Sequence, residues 1–326
     1  MAGLEDTTDL RLPSASEPIK NIVLVGRTGN GKSATGNSLI GKQVFRSETR
    51  ATGVTMKCET CVAVTPCGTG INVIDTPGLF DLSVSAEYLS QEIINCLVLA
   101  EDGLHAVVLV LSVRTRISQE EEATLNTLQV IFGSQIIDYL VVLFTGGDEL
   151  EANNMTLDDY LSKGCPEFLK TVLRLCGGRR ILFDNRTTDE GKKVKQVQEL
   201  LAHVAAIEKS TSGIPFTDEM HRKIQKEAET LREQQKEVES KDLAAAEIEK
   251  WKKHYQTEHD KNMNMMAEML GNRLREDSER QEKMLLALRD NLEISQRQNK
   301  LNELTDNEPD LIHCGVSLRR MPCNML

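Results

Sequence analysis

The chain of 326 residues is poor in aromatics, 4% with a single Trp, and poor in positive charge. Thirty-nine Lys and Arg stand against 50 Asp and Glu, a net charge of −11. That balance excludes a general nucleic-acid binder, which needs a positive field to release counterions. It leaves room for a small phosphorylated ligand, because phosphates are held by local groups. No uninterrupted apolar run approaches the roughly 20 residues needed to span a bilayer. The opening MAGLEDTTDLRLPSASEP also lacks the basic-then-apolar order of a secretory signal. The 8 cysteines are therefore expected as thiols in a reducing, cytoplasmic compartment. Cys58 and Cys61 form a CxxC, but they fall in a strand-like run, MKCETCVAV, where side chains three apart face opposite ways. No second ligand pair is near, so core and surface thiols are expected rather than zinc or redox chemistry.

The hydrophobic content, 40%, is enough for a sizeable core, and the length suggests about two domains. Residues 1–18 are polar and read as a flexible leader. From 19 to 208, β-rich runs alternate with amphipathic stretches. The runs are 21–26, 58–64, 71–75, 105–112, 139–145 and 179–184; helical patterns fall near 32–41, 86–99, 118–131, 166–176 and 190–208. Most runs are apolar throughout, as in strands buried on both faces. The expected fold is therefore α/β, with a mostly parallel sheet covered by helices. Between His221 and Leu304 there is no Pro and one glycine, Gly271, and Glu, Lys, Gln, Arg and Met dominate. Residues 209–304 thus read as one or two extended amphipathic helices, packed on the globular domain or on another copy. Ile224, Leu231, Val238 and Ala245 recur at seven, but Gln235 and Asp242 interrupt the seam, which weakens any coiled coil. Residues 305–326 read as a disordered tail.

The strongest motif is Gly26-Arg27-Thr28-Gly29-Asn30-Gly31-Lys32-Ser33, followed by Ala34. It matches G-x-x-x-x-G-K-[ST] at a strand-to-helix junction. Glycines let backbone N–H groups converge on phosphate oxygens, and the helix N-terminus adds favourable partial charge. Lys32 is placed to neutralise the β- and γ-phosphates, and the Ser33 hydroxyl to ligate Mg2+. About 45 residues on, Asp75-Thr76-Pro77-Gly78 ends the next strongly apolar run. Asp75 can hold the magnesium through its water shell, and Gly78 can give its N–H to the γ-phosphate. Phe144-Thr145-Gly146-Gly147-Asp148 follows a further buried run. A carboxylate there accepts from the ring N–H and exocyclic amine of guanine, donors that adenine lacks in that arrangement. The usual form is N-K-x-D; Thr145 and Gly146 replace Asn and Lys, so the stacking lysine stem is missing. Asn185, in Phe183-Asp184-Asn185, can complete the base pocket. The expected cofactors are GTP or GDP with Mg2+, and an ATPase is disfavoured by Asp148.

Together these residues resemble the avirulence-induced and immune-associated GTPases, the plant relatives of the GIMAP proteins. GRTGNGKSATGNSLIG, DTPGLFD, T-x-x-D, FDN and the stretch GLHAVVLVLSVRTRISQEEEATLNTLQVIFG carry the resemblance over about 190 residues. It implies an AIG1-type P-loop GTPase sheet of five or six strands with one antiparallel strand, and helices after it. It also implies homodimerisation through the nucleotide face. Thr55 matches the switch threonine that reaches magnesium and the γ-phosphate, although Thr49 and Thr52 are close by. Arg116 matches an arginine that some members present across the dimer. The resemblance further implies stress or immune responses and the cytosolic face of endomembranes such as the endoplasmic reticulum.

Leu79 stands where Ras-like enzymes supply a water-orienting glutamine. Hydrolysis is therefore expected to be slow, or to need a group from elsewhere, for which Arg116 is the candidate. Two functions follow: a GTP-dependent dimerising switch, or a GTP-binding assembly module with negligible hydrolysis. The final Cys323-Asn324-Met325-Leu326 fits C-a-a-X, so Cys323 is a prenylation candidate for reversible attachment to endomembranes or the plasma membrane.

Overall fold

The computed structural model describes residues 18–47, 55, 57–78, 85–117, 119–241 and 245–306. Six apolar runs become the strands β1 (Lys20–Val25), β2 (Glu59–Val64), β3 (Gly70–Asp75), β4 (Ala106–Ser112), β5 (Leu140–Thr145) and β6 (Arg180–Phe183). They form one sheet in the order β2-β3-β1-β4-β5-β6. β2 runs antiparallel to β3, and every other neighbouring pair is parallel. Every residue of β3, β4 and β5 is buried, as uniformly apolar strands require when helices cover both faces.

The covering helices are α1 (Lys32–Ile40), α2 (Ala86–Leu99), α3 (Gln119–Phe132), α4 (Gly147–Ala152), α5 (Leu157–Ser162), α6 (Glu167–Leu175) and α7 (Glu190–Ser210). A 3-10 turn over Ser134–Tyr139 leads into β5. Ser85 caps α2 by accepting from the Tyr88 N–H, and Asp189 caps α7 by accepting from Gly191 and Lys192. Because β1, β3, β4, β5 and β6 are parallel, the loops that follow them open along one edge of the sheet. The order in which strands are added reverses about β1, between β3 and β4, which is the switch point where open α/β sheets receive ligands.

Two more helices follow, α8 (Glu219–Ser240) and α9 (Ala245–Asp306). Leu104 and Phe216 exchange two backbone hydrogen bonds, of 2.9 and 2.8 Å, and so tie the approach to α8 against the sheet domain. His221, fully buried, lies 2.9 Å through Nε2 from the Ala100 carbonyl at the end of α2. Ile224 and Val238 are buried with it, whereas Leu231 is only half-buried and Ala245 is exposed. The sevenfold spacing therefore does not define the packed face. On α9 that face is Met263, Met266, Ala267, Leu270 and Leu274, which share the core with the sheet. Burying a side chain such as Leu270, 2% exposed, contributes roughly 1.5–3 kcal/mol. The described residues up to Arg275 form one compact unit, so α8 and the first half of α9 belong to the same body as the sheet. The second unit begins at Glu276, and its described part is the helical run to Asp306.

Cys58 and Cys61 occupy different surroundings. The Cys58 thiol donates to the Glu92 carbonyl at 3.2 Å, and Cys61 is buried in β2. A hydrogen bond with Cys96 and burial push the Cys58 thiol far above its ordinary pKa, which keeps it protonated. Among the described residues no cluster of three His, Cys, Asp or Glu could hold a metal. No described helix is long and apolar enough to cross a membrane.

Candidate functional site

A cleft of about 400 Å³ opens at the switch point, lined along its floor by Thr28, Gly29, Asn30, Gly31, Lys32, Ser33 and Ala34. This loop joins β1 to α1, and its path depends on glycine. A Cβ on Gly26 would sit 2.4 Å from the Val110 carbonyl oxygen of β4, and Gly31 has φ +92°. Gly31 is also the residue before α1, where no side chain caps the helix. The first-turn N–H groups therefore face the cleft as an anion site. Lys32 is buried and donates to the carbonyls of Gly26 at 2.9 Å and Arg27 at 3.2 Å, which curls its ammonium over the loop. Asn30 braces the loop from below by donating to the Val110 carbonyl at 3.0 Å. Thr145 donates to the Asn30 carbonyl at 2.8 Å, so its hydroxyl serves the loop from β5.

Beside the loop, Ser33 Oγ donates to Asp75 Oδ2 at 2.6 Å and stands 3.1 Å from Thr55 Oγ1. Parallel pairing of β1 with β3 sets this up by placing Leu24 opposite Asp75. Asp75 is fully buried, and its second oxygen, Oδ1, has no hydrogen-bond partner. Burial raises its pKa to about 6, against the opposing pull of the Ser33 hydrogen bond and the Lys32 charge. An orphaned carboxylate oxygen beside two hydroxyls is a hard-oxygen donor set with a bond to spare, which fits a divalent cation such as Mg2+. Gly78 closes this side, and a Cβ there would meet Thr28 Oγ1 at 1.9 Å. Leu79, Thr49, Thr52 and Cys323 lie outside the described residues.

At the far end, Asp148 sits in the first turn of α4, after Gly146 at φ +91°. Arg114, just past β4, holds Asp148 Oδ2 through Nη2, and Arg186 Nη1 approaches the same oxygen at 3.9 Å. Asn185 lines the cleft, but its amide is tied to α1. It donates to Thr35 Oγ1 at 3.0 Å and accepts from Ser38 Oγ at 2.8 Å. Arg116 is exposed and is not among the lining residues. Gln43, Arg46, Ser47, Ser112, Arg114 and Arg186 also line the cleft. Reading the sequence alone singled out none of these six, because they come from loops and strand ends that only the sheet order brings together.

A sequence model of the AIG1 family matches residues 20–235. Immune-associated nucleotide-binding protein 3 of Arabidopsis thaliana is 63% identical over 286 residues, 88% of this chain and 86% of that protein. Immune-associated nucleotide-binding protein 5 of the same plant is 60% identical over 294 residues, 90% of this chain and 96% of that one. Among solved structures, Toc33 from Arabidopsis thaliana in complex with Mg2+ and GMPPNP aligns at a TM-score of 0.47 with 21% identity, over 61% of this chain and 87% of that one.

Proposed function

The chain belongs to the AIG1 family, and from that premise we propose that it binds GTP and GDP with Mg2+ in the cleft and acts as a GTP-dependent dimerising switch with slow hydrolysis. One observation carries the proposal: a phosphate loop and the Asp148 carboxylate line one cleft, and behind its Ser33 lies Asp75 with an orphaned buried carboxylate oxygen. The nucleotide-binding description of its Arabidopsis relatives supports the same reading.

In this reading the backbone N–H groups of Thr28 to Ser33 hold the β- and γ-phosphate oxygens, and Lys32 exchanges its two carbonyl partners for phosphate. Ser33, Thr55 and Asp75 would hold the Mg2+, Asp75 directly or through water, with phosphate oxygens and water completing the shell. The ion supplies neutralisation of charge on the transferring phosphoryl group. Gly78 lies against Thr28 and Thr55 stands beside Ser33, and both would respond to the presence of the γ-phosphate. Asp148 reads the guanine edge, and Asn185 stiffens the wall beside it.

Hydrolysis needs a positioned water, and Leu79 offers it no hydrogen bond. Arg116, exposed and outside its own cleft, is the group a second copy would supply across the nucleotide face. An arginine acting in trans accelerates by about 10³–10⁵, or roughly 4–7 kcal/mol of barrier. The test is phosphate release per molecule across a wide dilution series, with mass followed alongside. Turnover should rise with concentration in the wild type and stay low in Arg116→Ala. Flat turnover, unchanged by the substitution, favours the second reading, a GTP-bound assembly module with negligible hydrolysis. Leu79 is the specific residue that favours that second reading. Where Cys323 ends the mature chain, a prenyl group there gives marginal membrane affinity, and identical fractionation of Cys323→Ser removes that part of the proposal.

A further inference from the structure

The nucleobase end of the cleft has Gly146 where the usual motif has a lysine, so no stem from that position can lie against a purine. Position 146 cannot carry one cheaply. Its φ is +91°, and a Cβ there would sit 2.8 Å from Val113 Cγ2. The same face is filled from another strand instead. Arg114 lays its side chain across Gly146, with Cγ and Nε each 3.4 Å from where that Cβ would be. Its backbone N–H is fixed by Ser112 Oγ at 3.3 Å, and its guanidinium ends on Asp148. Both side chains are about one-third exposed, 31% and 32%, and both line the cleft.

We infer that Arg114 is the missing wall of the nucleobase pocket: its guanidinium lies flat on the purine face while Asp148 reads the edge. The inference rests on the guanine-nucleotide reading above and names a base-positioning residue within it. A guanidinium is planar, weakly hydrated and attracted to the face of a π system, so it replaces a lysine stem with added cation–π attraction. With no purine present, it neutralises the Asp148 carboxylate. When guanine enters, the ring N–H and exocyclic amine take over the two carboxylate oxygens. The guanidinium then turns onto the ring while its stem keeps its contact with Gly146. Arg186, 68% exposed and 3.9 Å from the same oxygen, keeps a positive charge near the carboxylate as Arg114 turns away.

The test is competitive displacement of labelled GDP from the full chain, with Mg2+ present, by GDP, by IDP and by inorganic triphosphate. Wild type, Arg114→Ala and Arg114→Lys are compared. IDP lacks the exocyclic amine, so the GDP-to-IDP ratio reports Asp148 alone, and inorganic triphosphate reports the phosphate loop alone. Arg114→Ala should weaken GDP and IDP by one common factor of roughly three- to thirtyfold. Its affinity for triphosphate should match the wild type, and Arg114→Lys should fall between the two. Unchanged or tighter GDP binding by Arg114→Ala, or an equal loss for triphosphate, overturns the role of Arg114 while leaving guanine-nucleotide binding in place. A folded wild type that binds no GDP overturns both.

Discussion

Replacing Asp148 by Asn isolates the group proposed to select the base. Asn retains one carbonyl oxygen to accept the ring N–H of guanine, but it turns an amide N–H towards the exocyclic amine, donor against donor. Two charge-assisted hydrogen bonds become one neutral bond and one mismatch, a loss of roughly 1–1.5 kcal/mol for each. Asp148 is 32% exposed, so water offsets part of that, leaving about 1.5–2.5 kcal/mol, or roughly 10–70-fold in the affinity for GDP. Xanthine carries a carbonyl where guanine has its amine, and the new amide can donate to it, so XDP should gain while GDP loses. The Arg114–Asp148 ion pair is itself worth no more than about 1 kcal/mol at this exposure. The melting temperature without ligand should therefore move little, which separates recognition from folding. Titration of both proteins with GDP and XDP is the assay. A GDP affinity within about threefold of wild type, or no gain for XDP, refutes the assignment of Asp148 to the base.

Two further outcomes follow from buried titratable groups. Folding raises the pKa of Asp75 from 3.8 to about 6, so the folded chain takes up that proton before the unfolded chain as pH falls. Its burial penalty is thus complete above about pH 6 and absent below about pH 4, and amounts to about 3 kcal/mol. Asp75→Asn should melt higher than wild type at pH 7 without ligand, yet lose the Mg2+-dependent part of nucleotide affinity; a lower melting point at pH 7 would argue against the burial penalty. Burial depresses the His221 pKa and outweighs the Ala100 carbonyl and Asp218, which act against it, so the unfolded chain protonates first and stability falls as pH drops below about 6.5. Hydrogen exchange in α8 should therefore quicken at pH 5.5 relative to pH 7.5 after correction for intrinsic rates, and an unchanged ratio would remove His221 as the cause.

Much of the fold is legible because its strands are apolar and short. All six expected runs became strands, with no end shifted by more than one residue, and the helical pattern at 86–99 matches α2. α4 and α5, six residues each, and the 3-10 turn at Ser134–Tyr139 are too short to display a period, so no pattern announces them. The packed face of α8 and α9 was hidden for another reason. These helices bury His221 beside Ile224, and Met263 and Met266 beside Leu270, so the buried stripe mixes residue types and changes phase along the chain. In the cleft, the motif positions Lys32, Ser33, Asp75 and Asp148 could be named from spacing alone. Arg114 could not, since only the pairing of β4 with β5, Ser112 beside Thr145, carries it to Gly146. Its cue in the sequence was faint: a cation two residues past a buried strand, overshadowed by Arg116.

In the proposed function one cleft combines phosphate binding with guanine selection. Calorimetric titration of the folded full-length chain with GTP and with ATP, both in Mg2+, tests it most directly. Saturable one-to-one binding of GTP is expected, with ATP weaker by at least about a hundredfold, because adenine leaves the Asp148 carboxylate without its two donors. No heat with GTP at high micromolar concentration, or equal affinity for the two nucleotides, would contradict it.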